Sequence, residues 1–176
     1  SLFIKDDIEE VKESLVLGII LTAIVTFIFL GSLGTTLNVC ISIPSSLVGT
    51  FVAIKMLGFT INFMTLLALS LSVGVVVDYA ILVLENIYRR RENGESRMQA
   101  AIEGAREISF AALAATFSIV AIFIPIALMD GAIGRFFYQF GITVSISVLL
   151  SLVIALTITP MLCSRFLNVH HLKASA

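Results

Sequence analysis

Long apolar runs separated by short polar stretches dominate this sequence. An α-helix rises about 1.5 Å per residue, so about 20 apolar residues cross a hydrocarbon layer about 30 Å thick. Five runs reach or approach this length: residues 13–30, 37–56, 61–87, 108–129 and 137–163. The pattern predicts an all-α integral membrane protein with five transmembrane helices.

The polar stretches predict what lies between and beside these helices. Residues 1–12 are interpreted as the polar start of the first helix, outside the membrane, and residues 164–176 as a cytoplasmic tail. Residues 31–36 and 130–135 contain glycine and predict turns or short loops. After the third run, a turn and a capping serine predict a short amphipathic cytoplasmic helix. The residues concerned are Asn93 and Gly94 in the turn, Ser96 at the cap, and Met98, Ala101, Ile102 and Ala105 on its apolar face.

Basic residues are distributed unequally between the two predicted sides of the membrane. The side that holds the polar stretch after the third run carries Arg89, Arg90, Arg91, Arg97, Arg106, Arg165 and Lys173, and the other side carries Lys5, Lys12, Lys55 and Arg135. Cytoplasmic loops of membrane proteins carry an excess of Lys and Arg. We therefore predict that the arginine-rich stretch is cytoplasmic.

Composition excludes several classes of protein. Hydrophobic residues make up 59% of the 176 residues and charged residues only 13%, whereas a soluble domain has about 25% charged residues. The net charge of −1 and the lack of a long basic block argue against nucleic-acid binding. The two cysteines, and the pair His170 and His171, lack the spacing of a metal site, and no catalytic set is visible. We expect no cofactor, no metal and no enzymatic activity.

The third run contains an acidic residue far from either end. Asp78 lies in the span 61–87, whose only other charged residue is Glu85. A central Asp costs roughly 2.5 to 3.5 kcal/mol on insertion scales, and such residues usually face a bundle interior and mark proton, ion or substrate paths. The alternative is a structural acid that is held neutral in the bundle. We take Asp78 as the candidate functional residue.

Helical spacing predicts the neighbours of Asp78. With about 3.6 residues per turn, Gly74 and Glu85 share the face of Asp78, together with Leu67, Leu71, Ile81 and Leu82. Gly74 removes a side chain one turn away, so that another helix or a long side chain can approach the carboxylate. Tyr79 points about 100° away from Asp78, on the same flank as Asn86.

The fifth run carries a stripe of hydroxyl side chains. Thr143, Ser147 and Ser151 recur at every fourth position and so lie on one face of a helix. Such a stripe usually joins packed helices, and it can also line a water path, here toward Asp78.

Four segments carry a resemblance to a known family. VGVVVDYAILVLENIYRRRENG, AIEGAREISFA, FIPIALMDGAIGRFF and LTITPMLCSR resemble, in order and spacing, the N-terminal half of resistance-nodulation-division (RND) efflux transporters of the hydrophobe and amphiphile exporter type. The resemblance implies that the five spans are helices two to six of a twelve-helix protein. By this resemblance Asp78 matches the first of the usual two proton-relay acids, and Tyr79 stands where the second is found.

The resemblance also implies a setting for the chain. It implies a bacterial inner-membrane, multi-pass protein, in contact with lipid and with the rest of the same transporter. The implied assembly is a trimer that works with a periplasmic adaptor and an outer-membrane channel. The partner lysine of the relay, the first helix and the porter domains are not in this chain, so we expect this segment alone not to transport.

The function expected from the sequence is thus the proton-relay part of a proton-coupled efflux transporter. Two alternatives remain at this point. One is a lipid-export or protein-export motor of the same superfamily. The other is a membrane scaffold subunit without transport, in which Asp78 pairs with another chain.

Overall fold

The computed structural model describes residues 33–167 and, before them, residues 9, 13, 16–17, 20–21, 23–24 and 27–28, all of which are helical. The continuous part forms four helices: α1 (Leu33–Met56), α2 (Phe63–Glu92), α3 (Arg97–Ala127) and α4 (Gly131–Phe166). No strand occurs among the described residues. The all-α prediction is confirmed.

Three of these helices are long and apolar enough to cross a membrane: α2, α3 and the part of α4 from Ile133 to Arg165. The fourth, α1, contributes a shorter apolar stretch, Cys40–Met56. Each of the four helices overlaps one of the last four apolar runs, and α3 begins 11 residues before its run. The first run is described only at scattered positions, and residues 1–8, 10–12 and 168–176 of the predicted terminal segments lie outside the described residues.

Capping side chains set the starts of α2 and α3. Asn62 accepts hydrogen bonds from the backbone N–H groups of Met64 (2.9 Å) and Thr65 (3.1 Å), and its own N–H donates to Thr65 Oγ1 (2.9 Å). This reciprocal capping box satisfies N–H groups that have no partner within the helix. At α3, the predicted cap is confirmed, because Ser96 Oγ accepts from the N–H of Gln99 at 3.3 Å.

The separate amphipathic helix predicted after the third run is not present. Residues 97–127 form one continuous helix, because no glycine turn or proline interrupts the chain between the polar stretch and the apolar run. Of the four residues predicted to form its apolar face, Ala101 is buried, whereas Met98 and Ile102 are exposed by 62% and 53%. Small residues face the neighbouring helix instead: Ala100, Ala101 and Gly104.

The two predicted glycine turns are shorter in the structure than in the prediction. Residues 33–36 already belong to α1, and residues 31–32 lie outside the described part of the chain. The loop predicted at residues 130–135 is confined to residues 128–130, because α4 begins at Gly131. A Cβ atom on Gly134 would lie 1.7 Å from the Met129 carbonyl oxygen, so this tight connection requires glycine at 134.

The last helix, α4, is at the centre of the packing. It contacts α1, α2 and α3, whereas α1 and α3 do not contact each other. Half of its apolar stretch is buried, against 17% for α3. Two glycines allow close approach of the helices: a Cβ on Gly104 would lie 2.8 Å from Ile87 Cγ1, and one on Gly141 would lie 2.7 Å from the Phe123 carbonyl oxygen.

The four helices alternate in direction and so define two ends. At one, which we call the aromatic end, Asn62 donates to the Gln139 side chain and the Phe59 and Tyr138 rings meet edge to face. At the other, which we call the charged end, Arg97 donates to the Arg165 carbonyl oxygen. The charged end therefore gathers the arginine-rich turn and the end of α4.

Candidate functional site

Asp78 lies near the middle of α2, and this residue is exposed. The leucines that share its face are exposed as well: Leu67 by 44%, Leu71 by 49% and Leu82 by 41%. Gly74 is also exposed, and a Cβ placed on it would meet no atom within 4 Å. Asp78 thus does not face the interior formed by the described helices, because no described helix covers this side of α2.

Tyr79 occupies the opposite environment. It is 6% exposed, and its hydroxyl is hydrogen-bonded to Thr116 Oγ1 of α3 at 3.0 Å. Thr116 is itself fully buried and also hydrogen-bonds the Ala112 carbonyl oxygen at 2.8 Å. The residue that follows Asp78 in the sequence therefore anchors α2 to α3, on the side away from the exposed face.

Glu85 shares the exposed face of Asp78, as its spacing of seven residues predicts. Neither carboxylate forms a hydrogen bond or an ion pair with any residue that the structure describes. Packing among the described residues therefore does not explain why two acids lie on one face of this apolar helix.

Comparison with known proteins decides the family. A sequence profile described as the AcrB/AcrD/AcrF family matches residues 1–176. The chain belongs to this RND transporter family.

Three relatives show how the chain relates to longer family members, and each is named "Multidrug resistance protein MdtC". The protein of Photorhabdus laumondii is 47% identical over 97% of this chain. Those of Pectobacterium atrosepticum and Yersinia enterocolitica are 44% and 46% identical, each over 94% of it. The chain spans about 16% of the length of each. It is thus similar to a short part of each of these proteins.

Next to the two acids, this RND segment has a polar cluster that sequence reasoning missed, and we call it the α2–α3 clasp: Asn86, Arg89, Arg90, Glu95, Gly104 and Glu107. Asn86 is 5% exposed. Its Nδ2 donates to the Gly104 carbonyl oxygen (2.9 Å) and to Glu107 Oε2 (3.0 Å). Its Oδ1 accepts from Arg89 Nη2 at 2.7 Å. One indication of this cluster was present in the sequence: Asn86 lies on the same side of α2 as Tyr79, and that side is buried in the structure.

Arginines complete the clasp. Arg90 donates to Glu107 Oε2 at 3.2 Å through Nε and to Glu95 Oε1 at 2.7 Å. Arg89 Nη2 lies 3.7 Å from Glu107 Oε1. These pairs are part-exposed, so each contributes little stability alone. Together with the close approach at Gly104 they fix the geometry of α2 against α3 at the charged end.

The predicted hydroxyl stripe of α4 is in the core. Thr143 and Ser147 are 0% exposed and Ser151 is 1% exposed. Ser147 Oγ donates to the Thr143 carbonyl oxygen at 2.8 Å, whereas Thr143 Oγ1 is buried without a partner among the described residues. The stripe and Asp78 therefore lie in different environments, one in the core and the other on the exposed face.

A second stripe, on α1, faces α4. Its buried members recur at every fourth position: Asn38, Ser42, Ser46 and Thr50. Asn38 Nδ2 lies 3.0 Å from both the Thr159 carbonyl oxygen and Cys163 Sγ, and Ser42 Oγ lies 3.2 Å from Thr159 Oγ1. The spacing was present in the sequence and would have revealed this α1–α4 contact. Among the described residues no group of three or more His, Cys, Asp or Glu side chains is placed to hold a metal ion.

Proposed function

We propose that this chain is part of the membrane motor of a proton-coupled multidrug efflux transporter, in which Asp78 binds and releases the transported proton. The observation that carries the proposal is the position of Asp78. Its carboxylate has no partner among the described residues and lies in the middle of an apolar helix, on a face that the described helices leave uncovered. Membership of the RND family and similarity to proteins named for multidrug resistance support it.

Physical reasoning connects the uncovered face to transport. A carboxylate at mid-depth is costly in lipid, so acids of this kind usually face other protein segments or a water-filled cavity. The open space beside Gly74 leaves room for a partner one turn from the carboxylate. We propose that the remainder of the transporter covers this face and supplies a cation to Asp78. A proton then binds the carboxylate in one conformation and leaves in the other.

The orientation in the membrane follows from charge. The arginine-rich turn and the end of α4 lie together at the charged end. Because cytoplasmic loops are enriched in Lys and Arg, we propose that this end is cytoplasmic and that the protein lies in the bacterial inner membrane. The aromatic end then faces the periplasm.

The proposed assembly is larger than this chain. We propose that the whole transporter is a homotrimer that works with a periplasmic adaptor and an outer-membrane channel, as the RND resemblance implies. The proposed activity is transport rather than enzymatic catalysis. This segment alone is expected not to transport and, with its uncovered apolar faces, to self-associate in detergent or lipid.

The proposal is tested in cells that depend on the full-length transporter for drug resistance. Asp78→Asn keeps the size of the side chain but removes the titratable group, and it is expected to abolish resistance while the protein still inserts at normal abundance. The matched control is Asp130→Asn, the same chemical change at a helix start where the side chain makes no capping hydrogen bond. Full resistance in Asp78→Asn would move the function toward a scaffold role or another proton carrier.

A further inference from the structure

Near the charged end of α2 lies a second acid, Glu85, whose surroundings differ from those of Glu95 and Glu107, the two acids of the clasp. Glu85 is exposed on the Asp78 face and has no partner among the described residues. Arg89, however, follows it by four residues. Glu followed by a basic residue at this spacing is the favourable arrangement for an ion pair along a helix.

The clasp explains why this ion pair does not form. Arg89 Nη2 donates to Asn86 Oδ1 at 2.7 Å and lies 3.7 Å from Glu107 Oε1. Asn86 is in turn fixed by its bond to the Gly104 carbonyl oxygen. The guanidinium is therefore drawn toward α3, away from the Asp78 face. Glu85 has no partner among the described residues, although a cation lies one turn away.

The depth of Glu85 also differs from that of Asp78. Phe63, the first residue of α2, is 22 residues before Glu85, which is about 33 Å of helix, close to the hydrocarbon thickness of about 30 Å. Asp78 lies about 22 Å from the same start. Glu85 thus lies at the boundary where water at the charged end can reach it, and Asp78 lies about 10 Å deeper along the same face.

We propose that Glu85 is the second station of the proton path, taking the proton that Asp78 releases and passing it to water at the charged end. The inference rests on the proposed function of Asp78. In this step the O–H bond of protonated Asp78 breaks, an O–H bond forms on the Glu85 carboxylate, and Glu85 then releases the proton to bulk water. Two or three water molecules with O···O distances of about 2.8 Å bridge such a gap.

The proposal gives Asn86 and Glu107 a positioning role. By holding Arg89 against α3 they prevent it from pairing with Glu85, and a carboxylate paired with arginine binds a proton less readily. Loss of the clasp should therefore slow proton transfer without removing either acid.

The test uses the full-length transporter in liposomes that contain a pH-sensitive dye, with substrate-coupled proton flux as the readout. Glu85→Gln is expected to lower the flux about 100-fold, within the range that a positioned acid or base contributes. The KM for substrate should stay unchanged. Glu85→Asp, which restores a carboxylate, should recover most of the flux. The matched control is Glu92→Gln, two turns further along the same helix and exposed, which should behave as the unmodified transporter.

The outcomes separate this inference from the proposed function. If Asp78→Asn is inactive while Glu85→Gln retains full flux, or if Glu85→Asp is as slow as Glu85→Gln, the role of Glu85 is overturned and that of Asp78 stands. If Asp78→Asn retains full flux, the proposed function itself fails.

A second pair of variants decides the question should Glu85→Gln fail to reach the membrane. Glu107→Gln removes the carboxylate that attracts Arg89 to α3, so that Arg89 can pair with Glu85, and it is expected to slow the proton flux. The double variant Glu107→Gln/Arg89→Gln also removes the arginine and is expected to restore the flux. Equal flux in the single and the double variant would overturn the proposal.

Discussion

The Tyr79 hydroxyl lies 3.0 Å from Thr116 Oγ1, in a contact buried between α2 and α3. Asp78, the preceding residue, is exposed on another side of the same helix. Consecutive residues in a helix differ by about 100° in direction, so the two side chains serve different purposes. Tyr79 holds α2 and α3 together through this contact.

The first prediction concerns this contact. Tyr79→Phe removes the hydroxyl but leaves Thr116 bonded to the Ala112 carbonyl oxygen, so it should lower the free energy of unfolding by only about 1 kcal/mol. Drug efflux should remain close to that of the unmodified transporter. Thermal unfolding in detergent and an efflux assay would measure the two effects. Loss of efflux with unchanged stability would show that the Tyr79 hydroxyl takes part in proton transfer.

The second prediction compares two glycines. An alanine Cβ at Gly104 would lie 2.8 Å from Ile87 Cγ1 and 3.1 Å from Ile87 Cα. Gly104→Ala should therefore push α3 away from α2 and cost about 1 to 3 kcal/mol, as overpacking does. Gly74→Ala is the control in this chain, because its Cβ meets nothing within 4 Å. Unfolding of the two variants in denaturant should differ, and equal stability would contradict the α2–α3 approach described above.

The third prediction concerns the α1–α4 contact. Asn38→Ala removes the Nδ2 donor that lies against Thr159 and Cys163, and should cost about 1 to 2 kcal/mol, the upper range for polar contacts between membrane helices. Ser118→Ala is the control, since Ser118 is exposed and bonds only the Ala114 carbonyl oxygen of its own helix. If Asn38→Ala and Ser118→Ala unfold at the same temperature, the amide does not join α1 to α4.

The fourth prediction concerns orientation. In a variant without Cys40 and Cys163, single cysteines at Asn93 and at Asp130 test the charged end and the aromatic end respectively. Position 130 is preferred to 131, because Gly131 has a φ of +88°, which other residues rarely adopt. In intact cells an impermeant thiol reagent should label position 130 and not position 93. Labelling at 93 from outside would reverse the proposed orientation.

Much of the fold could be predicted from local sequence patterns, but only part of the candidate site could. The last four apolar runs each overlap a helix, and Ser96 indicated the start of α3. The periodicity placed Asp78 and Tyr79 on different sides of α2. It did not establish which side is buried, because burial depends on which helices pack nearby. Asn86 and Glu107 are 21 residues apart on separate helices, so their contact needs the tertiary structure.

The sequence also contains a pattern that indicates the α1–α4 contact. The stripe at Asn38, Ser42, Ser46 and Thr50 has the same spacing as the one on α4, and a pair of such stripes predicts a polar contact between two helices. By contrast, no local pattern shows that α3 continues from the polar stretch into the apolar run, since one helix with a polar start and an apolar end has the same local pattern as two joined helices.

The central claim is that Asp78 itself carries the proton, and proton release on substrate binding tests it most directly. The full-length transporter is placed in lightly buffered detergent solution with a pH-indicator dye, and substrate is added. The account predicts that the unmodified transporter and Asp130→Asn release protons and that Asp78→Asn, still binding substrate, releases none. Proton release by Asp78→Asn equal to that of the unmodified transporter would contradict the claim.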